Sequence, residues 1–484
     1  MPANRKDPNN YREGFSMNHS FRSRSGENTR AKWRLEMMAG AFLLSLPVHT
    51  PAWAATINVT RDGAVTNDGV DNTKAIQKAI DDSAAGDTIL FPPGTYGVSS
   101  TIVFKSGRDY SGAGATLKRT GPGGFAACTE YDRGKNMLIE GLTFNSAGLA
   151  FTGSGKVKAS KIRVRDCSFT NIRQKVYPFD TGIYIPIGGT QCEFARNHFQ
   201  NIKGDNGFAT WNLDQTRIAD NDFDGVNECM HLNGITVDCS VLRNRGVHIH
   251  RMGIEIQGSN NANLVVEDNH FANWDSPFND SFGLSIVPSS GPNIVVRYNT
   301  LLGRPPVPGT WTDRFGFGIE LGGDVLCRDN LTEGFWWLGI VIGGKNTTVT
   351  HNVLRGAHGG EYTTPTKISL EPGSDEKTET IAENQQILTD SYIENPTDLV
   401  AKVSGKRTEL SWQAHSTKET GFRVERRTPG GEYAVIATLP ATSTSYTDDH
   451  LPARGEYVYR IQASDDAGDI TYSPSLLVVV EKLP

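Results

Sequence analysis

The chain is expected to be an all-β solenoid followed by a small β-sandwich, and three observations support that reading. Seven asparagines recur inside one short phrase: Asn197, Asn221, Asn244, Asn269, Asn299, Asn330 and Asn352. The gaps are 24, 23, 25, 30, 31 and 22 residues, which is the period of a solenoid with one coil per repeat. No helical periodicity of useful length interrupts this array, and after residue 395 the pattern changes to short alternating strands.

The elements follow in chain order. Residues 1–54 form a polar extension and a signal peptide. Met37–Val48 is an apolar run of 12 residues broken by Gly40 and Pro47, and Ala52-Trp53-Ala54 offers a cleavage site. The run is too short to span a bilayer. The mature chain is expected to start at Ala55 and to be secreted, periplasmic or on the cell surface. The formal charge is −6 for the whole chain. The first 36 residues hold eight basic and four acidic side chains, so the remainder carries −10. An acidic body argues against nucleic acid or an anionic membrane as partner.

Within each coil the residue three before the Asn and the residue two after it are mostly apolar, as in Val266 and Phe271. Alternation at period two makes each flank a short strand with a tight turn between them. Asn suits that turn because it tolerates the left-handed conformation, and stacked coils would bring the amides into a ladder. A third strand precedes each turn: GIYIPIGG (182–189), MHLNG (230–234), GIEIQG (253–258), GLSIVP (283–288), GIELGG (318–323) and GIVIGG (339–344). Its outer Ile and Leu positions point inward and the residue between them points out. Three strands per coil resemble a right-handed parallel β-helix.

The opening segment, RDGAVTNDGVDNTKAIQKAIDDSAAGDTILFPPGTY (61–96), strengthens the resemblance. It looks like the N-terminal cap of the pectate-lyase-like superfamily: a DG turn, an amphipathic helix with Ala75, Ile76, Ala79 and Ile80 on one face, and a strand entering the first coil. The superfamily spans hydrolases, lyases, epimerases and phage spikes, so the resemblance implies a fold rather than a reaction. Polygalacturonase-type hydrolases carry NTD, DD, GHG and RIK motifs, none of which appears here in order. The acidic cluster of calcium pectate lyases and the DPHD motif of mannuronan epimerases are not found either. Domain boundaries are expected at 55–394 for the β-helix and 395–484 for the tail. The tail resembles a fibronectin type III domain, with Trp412 as core tryptophan and Leu451 and Tyr457 as its tyrosine corner. It is expected to be separable near Glu394, to have no catalytic role, and to contact glycan, cell wall or another protein. The six cysteines show neither a disulfide framework nor zinc spacing, so no metal or cofactor is expected.

Substrate in this superfamily lies along the sheet made by the third strand, and the loops before that strand vary most in length. The outward residues in coil order are read as Tyr184, Trp211 or its neighbour, His231, Glu255, Ser285, Glu320, Val341 and Ser369. Glu is depleted in strands, so Glu255 and Glu320 stand out. With one coil between them, their backbones lie about 10 Å apart, which suits the 6.5–9.5 Å carboxyl separation of inverting glycosidases. Asp280 and His231 would assist these two as catalytic residues. Arg251 and Arg314 would tune the carboxylates and hold substrate. Tyr184, Trp211, Trp311, Trp336 and Trp337 would stack on sugar rings. Trp274 is expected in the core. These residues suggest a glycoside hydrolase acting on a polysaccharide. Two alternatives stay open: a lyase or C5-epimerase on a uronic-acid polymer, and a non-catalytic glycan-binding or adhesive protein.

Overall fold

A computed structural model describes residues 54–67, 69–121, 135–152, 158–173, 180–274, 280–288, 291–303, 315–334, 338–356, 364–372, 374–388, 393–451 and 454–480. The signal-peptide region and Cys128 lie outside these residues. A helix over Thr73–Asp81 buries Ile76, Ala79 and Ile80, with Ala75 packed beside them, and so covers the apolar interior of the first coils. From there strands pair in parallel, each with its counterpart one coil on, through to Gln385–Leu388. Side-chain stacks run along the interior. Phe144, Phe169, Phe199 and Phe223 lie face to face at centroid distances of 5.0, 5.1 and 4.7 Å. Trp274 is fully buried, as its column implied, and its indole N–H donates to the carbonyl of Arg251 at 3.1 Å.

The asparagine ladder is continuous. Each amide donates to the next Asn Oδ1, for example Asn244 to Asn269 at 3.0 Å and Asn269 to Asn299 at 2.9 Å. Asn384 extends the ladder by one rung. One detail differs from the sequence reading. The left-handed residue is not the Asn but the one before it: Arg196, Asp220, Arg243, Asp268, Tyr298, Asp329 and His351 have φ between 51° and 59°. The turn is completed by that residue, so the Asn side chain is free to point inward. Left-handed backbone costs a bulky residue about 1–2 kcal/mol, and the buried amide bonds offset it. Asn269→Leu removes bonds to Val241 O, Asn299 Oδ1 and the Asn244 N–H in a buried site. It should lower stability by at least about 1–3 kcal/mol in denaturant titration. No change would mean that the ladder is not a source of stability.

A corner precedes the third strand of each coil. It is occupied by Gly182, Gly207, Cys229, Gly253, Gly283, Gly318 and Gly339. A Cβ at Gly253 would lie 2.4 Å from Gly283 O, so the coils stack this closely only because the side chain is missing. The five described cysteines are buried and unpaired, and burial raises their thiols well above the ordinary value.

The tail forms a sandwich of two antiparallel sheets, with Trp412 packed edge-on to Phe422 in its core and Leu451 and Tyr457 buried beside them. It does not stand off from the solenoid as a spacer would. It docks along the corner that carries the Asn ladder, spanning four coils. Arg427 reaches Glu267 Oε1 at 2.6 Å and also pairs with Asp268, whose Oδ1 accepts from Tyr433 OH at 2.8 Å. Glu432 bridges Arg297 at 3.0 Å and Arg328 at 2.6 Å. Arg355, fully buried, pairs with Glu333 at 2.8 Å on its own domain and with Asp469 across the interface. Ala272, Leu302 and Leu331 pack against Tyr472 between these ion pairs. The Arg328 guanidinium at hydrogen-bond distance holds the Glu432 carboxyl down at about 2.

Candidate active site

The third strands place their outward residues in one column: Tyr184, Ala209, His231, Glu255, Ser285, Glu320, Val341 and Ser369. Ala209, not Trp211, holds the place between Tyr184 and His231. Trp211 lies two residues further along the same strand, in register with Asn233 and Gln257. It faces outward and is 42% exposed, an aromatic surface beside the column. Val341 is buried against Phe317, so the apolar end of the column is covered.

Two carboxylates of the column are largely sequestered. Glu255, 7% exposed in its side chain, sits 3.6 Å from His231 Nδ1 through Oε2, and its Oε1 accepts from the Gln257 amide. Glu320 Oε2 accepts from Ser285 Oγ at 2.6 Å, the hydroxyl of the coil that separates the two acids. Burial raises both carboxyls above the ordinary value. The surroundings then diverge. His231 and Arg251 work against the rise at Glu255. At Glu320, among the described residues, only the Ser285 hydroxyl opposes it, and the negative charge of Glu371 adds to it. Glu320 is therefore the group better suited to carry a proton, and Glu255 the one better suited to stay ionised. Their backbones are two strand spacings apart, about 10 Å.

Arg251 does not pair with Glu255. Its guanidinium joins Glu228 Oε1, while Glu228 Oε2 lies 3.4 Å from His231 Nδ1. Glu228 was not found from the sequence. Period-two alternation puts it on the inward face with Met230, but the corner at Cys229 breaks the alternation and brings Glu228 and His231 together. A usable signal exists all the same. Glu228 sits immediately before the corner, where other coils have Met252, Phe282 and Phe317. Burial alone would push the Glu228 carboxyl up, yet His231 and Arg251 bring it below the ordinary range. Burial disfavours the charged imidazole of His231, but Glu228 and Glu255 outweigh it and raise its pKa. Glu228, His231 and Glu255 offer ligand atoms within 4.8 Å of one another. A cation there would have to displace the contacts at His231 Nδ1 and compete with Arg251.

Asp280 begins the strand that carries Ser285, and its side chain lies outside the described residues. Arg314, Trp311, Trp336 and Trp337 also lie outside them, as do most of the loops expected to wall the groove. Tyr184 is half-buried two coils before His231.

Comparison with known proteins agrees with the architecture. The family model for rhamnogalacturonase A/epimerase, pectate lyase-like, matches residues 56–278, and that for the fibronectin type III domain matches 394–479. A probable endo-xylogalacturonan hydrolase A from Neosartorya fischeri is 29% identical over 160 residues, which are 31% of this chain and 38% of that protein. The chain thus spans less than two fifths of that relative. Among solved structures, a family 28 exopolygalacturonase from Yersinia enterocolitica is 13% identical with a TM-score of 0.43, covering 68% of this chain and 79% of that one. DFA-IIIase from Arthrobacter chlorophenolicus A6 is 16% identical with a TM-score of 0.45, covering 69% and 89%. No described helix is long and apolar enough to cross a membrane. Residues 56–278 thus match a pectate-lyase-like family model and fold as a parallel β-helix, and residues 394–479 are a fibronectin type III domain.

Proposed function

We propose that the protein is a secreted glycoside hydrolase acting on a uronic-acid-containing polysaccharide of the galacturonan type, with Glu320 as general acid and Glu255 as general base. The observation that carries this reading is the Glu255–Ser285–Glu320 column: one buried and one half-buried carboxyl on one outward face, separated by one coil. Side chains converging from backbones about 10 Å apart reach the separation that leaves room for a water, which favours inversion over retention. The similarity to a hydrolase named for xylogalacturonan supports both the reaction class and the polymer. Arg251 and Arg314 supply cations near an acidic chain, and Trp211 and Tyr184 supply aromatic faces for sugar rings. Asp280, Trp311, Trp336 and Trp337 complete the groove in this reading.

The test is a product assay with the mature chain on polygalacturonan and xylogalacturonan. New reducing ends without the absorbance of an unsaturated uronate are expected. Reducing ends with that absorbance would replace hydrolysis by elimination. Unchanged chain length with altered uronate configuration would make the protein an epimerase. Binding with none of these changes would leave a glycan-binding protein.

A further inference from the structure

We propose that Glu228 is a positioning residue of this site: a buried carboxylate that grips His231 with one oxygen and Arg251 with the other, and so sets the charge beside Glu255. The inference rests on the acid/base reading of Glu255 and Glu320.

The geometry is unusual for a strand residue. Glu228 is only 4% exposed in its side chain, and its two oxygens serve different cations: Oε1 takes the Arg251 guanidinium, and Oε2 faces His231 Nδ1 at 3.4 Å. That same Nδ1 lies 3.6 Å from Glu255 Oε2 in the next coil. One imidazole nitrogen is thus shared by two carboxylates, which favours the form of the ring with a proton on Nδ1. The opposite nitrogen, Nε2, is buried and makes no hydrogen bond to the described residues. A bound hydroxyl or carboxylate of a sugar would satisfy it. Arg251 is fixed a second time from the backbone, where its carbonyl accepts from the Trp274 indole. The charged groups acting on His231 are Glu228, Glu255 and Asp205, and Arg251 acts on the same two glutamates.

The consequences have definite signs. A buried carboxylate that stays ionised holds the imidazole charged to higher pH. Its negative charge also raises the pKa of Glu255, in the direction a general base with an acidic limb above the ordinary carboxylate range requires. In the absence of the Glu228 charge Glu255 still favours the charged imidazole, so His231 keeps an anionic partner near that limb. Removing the Glu228 charge should therefore lower the acidic limb and leave the alkaline limb, set by Glu320, where it was.

The experiment compares the mature chain with Glu228→Gln and Glu228→Asp. His231 is followed by NMR with ring-labelled histidine and assigned by the signal lost in His231→Gln. In Glu228→Gln the His231 titration should fall by about one pH unit or more. On polygalacturonan, kcat should drop about tenfold or more with KM little changed, and the acidic limb should move down. Glu228→Asp keeps the charge in the corner and should recover part of both effects. It also serves if the Gln variant does not fold. An unchanged His231 titration in the Gln variant, or a Glu228→Asp variant that recovers neither the titration nor kcat, would overturn the role given to Glu228 while leaving Glu255 and Glu320 in place. A shifted His231 titration together with full activity in Glu255→Gln would instead overturn the acid/base reading, and the catalytic role of Glu228 with it.

Discussion

Arg427→Met should destabilise the protein by about 3–5 kcal/mol, the largest single-residue effect expected outside the coil interior. Arg427 projects from the sandwich into a site where Glu267 and Asp268 of the solenoid are almost completely buried. Glu267 keeps a second cation, Arg297 at 2.8 Å. Asp268 would be left with the hydroxyls of Tyr433 at 2.8 Å and Ser475 at 3.2 Å. A buried carboxylate without its cation is the costly case, whereas removing both partners is far less so. The double variant Arg427→Met with Asp268→Asn should therefore recover a large part of the loss. Thermal unfolding supplies the check. The single variant should melt lower, or should show the sandwich melting apart from the solenoid. Equal midpoints would mean that the tail is held by the apolar contacts around Tyr472 and not by the ion pairs. A chain ending at Glu394 leaves Glu267, Asp268 and Arg355 hydrated, but it loses their ion pairs with the tail and uncovers Ala272, Leu302 and Leu331, which pack against Tyr472. Reduced stability is expected for it, contrary to the clean separability that the composition change near residue 395 implied.

The legible and illegible parts of this molecule divide along a physical line. The period of Asn197 to Asn352, the alternation on each side of it and the cap helix over residues 73–81 could be read because each is a local rule repeated coil after coil. The column from His231 through Glu255 and Ser285 to Glu320 could be read for the same reason. Three features resisted. Arg196, Arg243 and Tyr298 were hidden as left-handed positions because Arg and Tyr rarely adopt that backbone, and only the ladder one residue later makes it worthwhile. Glu228 was hidden because a corner shifts the face of a strand by one residue, and alternation cannot reveal that without the neighbouring coils aligned. The docking of the tail was hidden because Glu267, Arg297, Glu333 and Arg355 read as solvated charges on a strand surface. The partners that Glu267, Arg297 and Arg355 find on the tail lie more than a hundred residues away and follow no period. Ala209 in place of Trp211 is a smaller case. The strand over His198–Trp211 carries a register shift between Ile202 and Asn206, so counting from the Asn misplaces its later residues by two.

Glu255→Gln and Glu320→Gln should each keep the fold and the affinity for polygalacturonan while lowering turnover by about 10²-fold or more. The amide preserves shape and one hydrogen-bond oxygen, so the Ser285 hydroxyl and the Gln257 amide retain acceptors. What is lost is the ability to take up or release a proton. The two variants should differ in pH behaviour. Burial raises both carboxyls above the ordinary value, so both limbs of the wild-type profile should lie above it. The base must be ionised, so activity falls as pH drops through the pKa of Glu255. The acid must be protonated, so activity falls as pH rises through the pKa of Glu320. For an optimum to exist the acid must have the higher value, and the described surroundings favour that order: His231 and Arg251 restrain Glu255, and among the described residues no cation restrains Glu320. Glu320→Gln should therefore abolish the alkaline limb and Glu255→Gln the acidic one in whatever activity remains. Substrates with a good leaving group need little protonation, so Glu320→Gln should lose less on an aryl glycoside than on the polymer, while Glu255→Gln should lose as much on both. NMR of the first product should show inversion at the anomeric carbon. Retention would exclude this pair in these roles and turn attention to closer carboxylates, Asp280 among them. Full activity in both variants would remove the column from the chemistry altogether and leave it as a buried polar seam in the sheet.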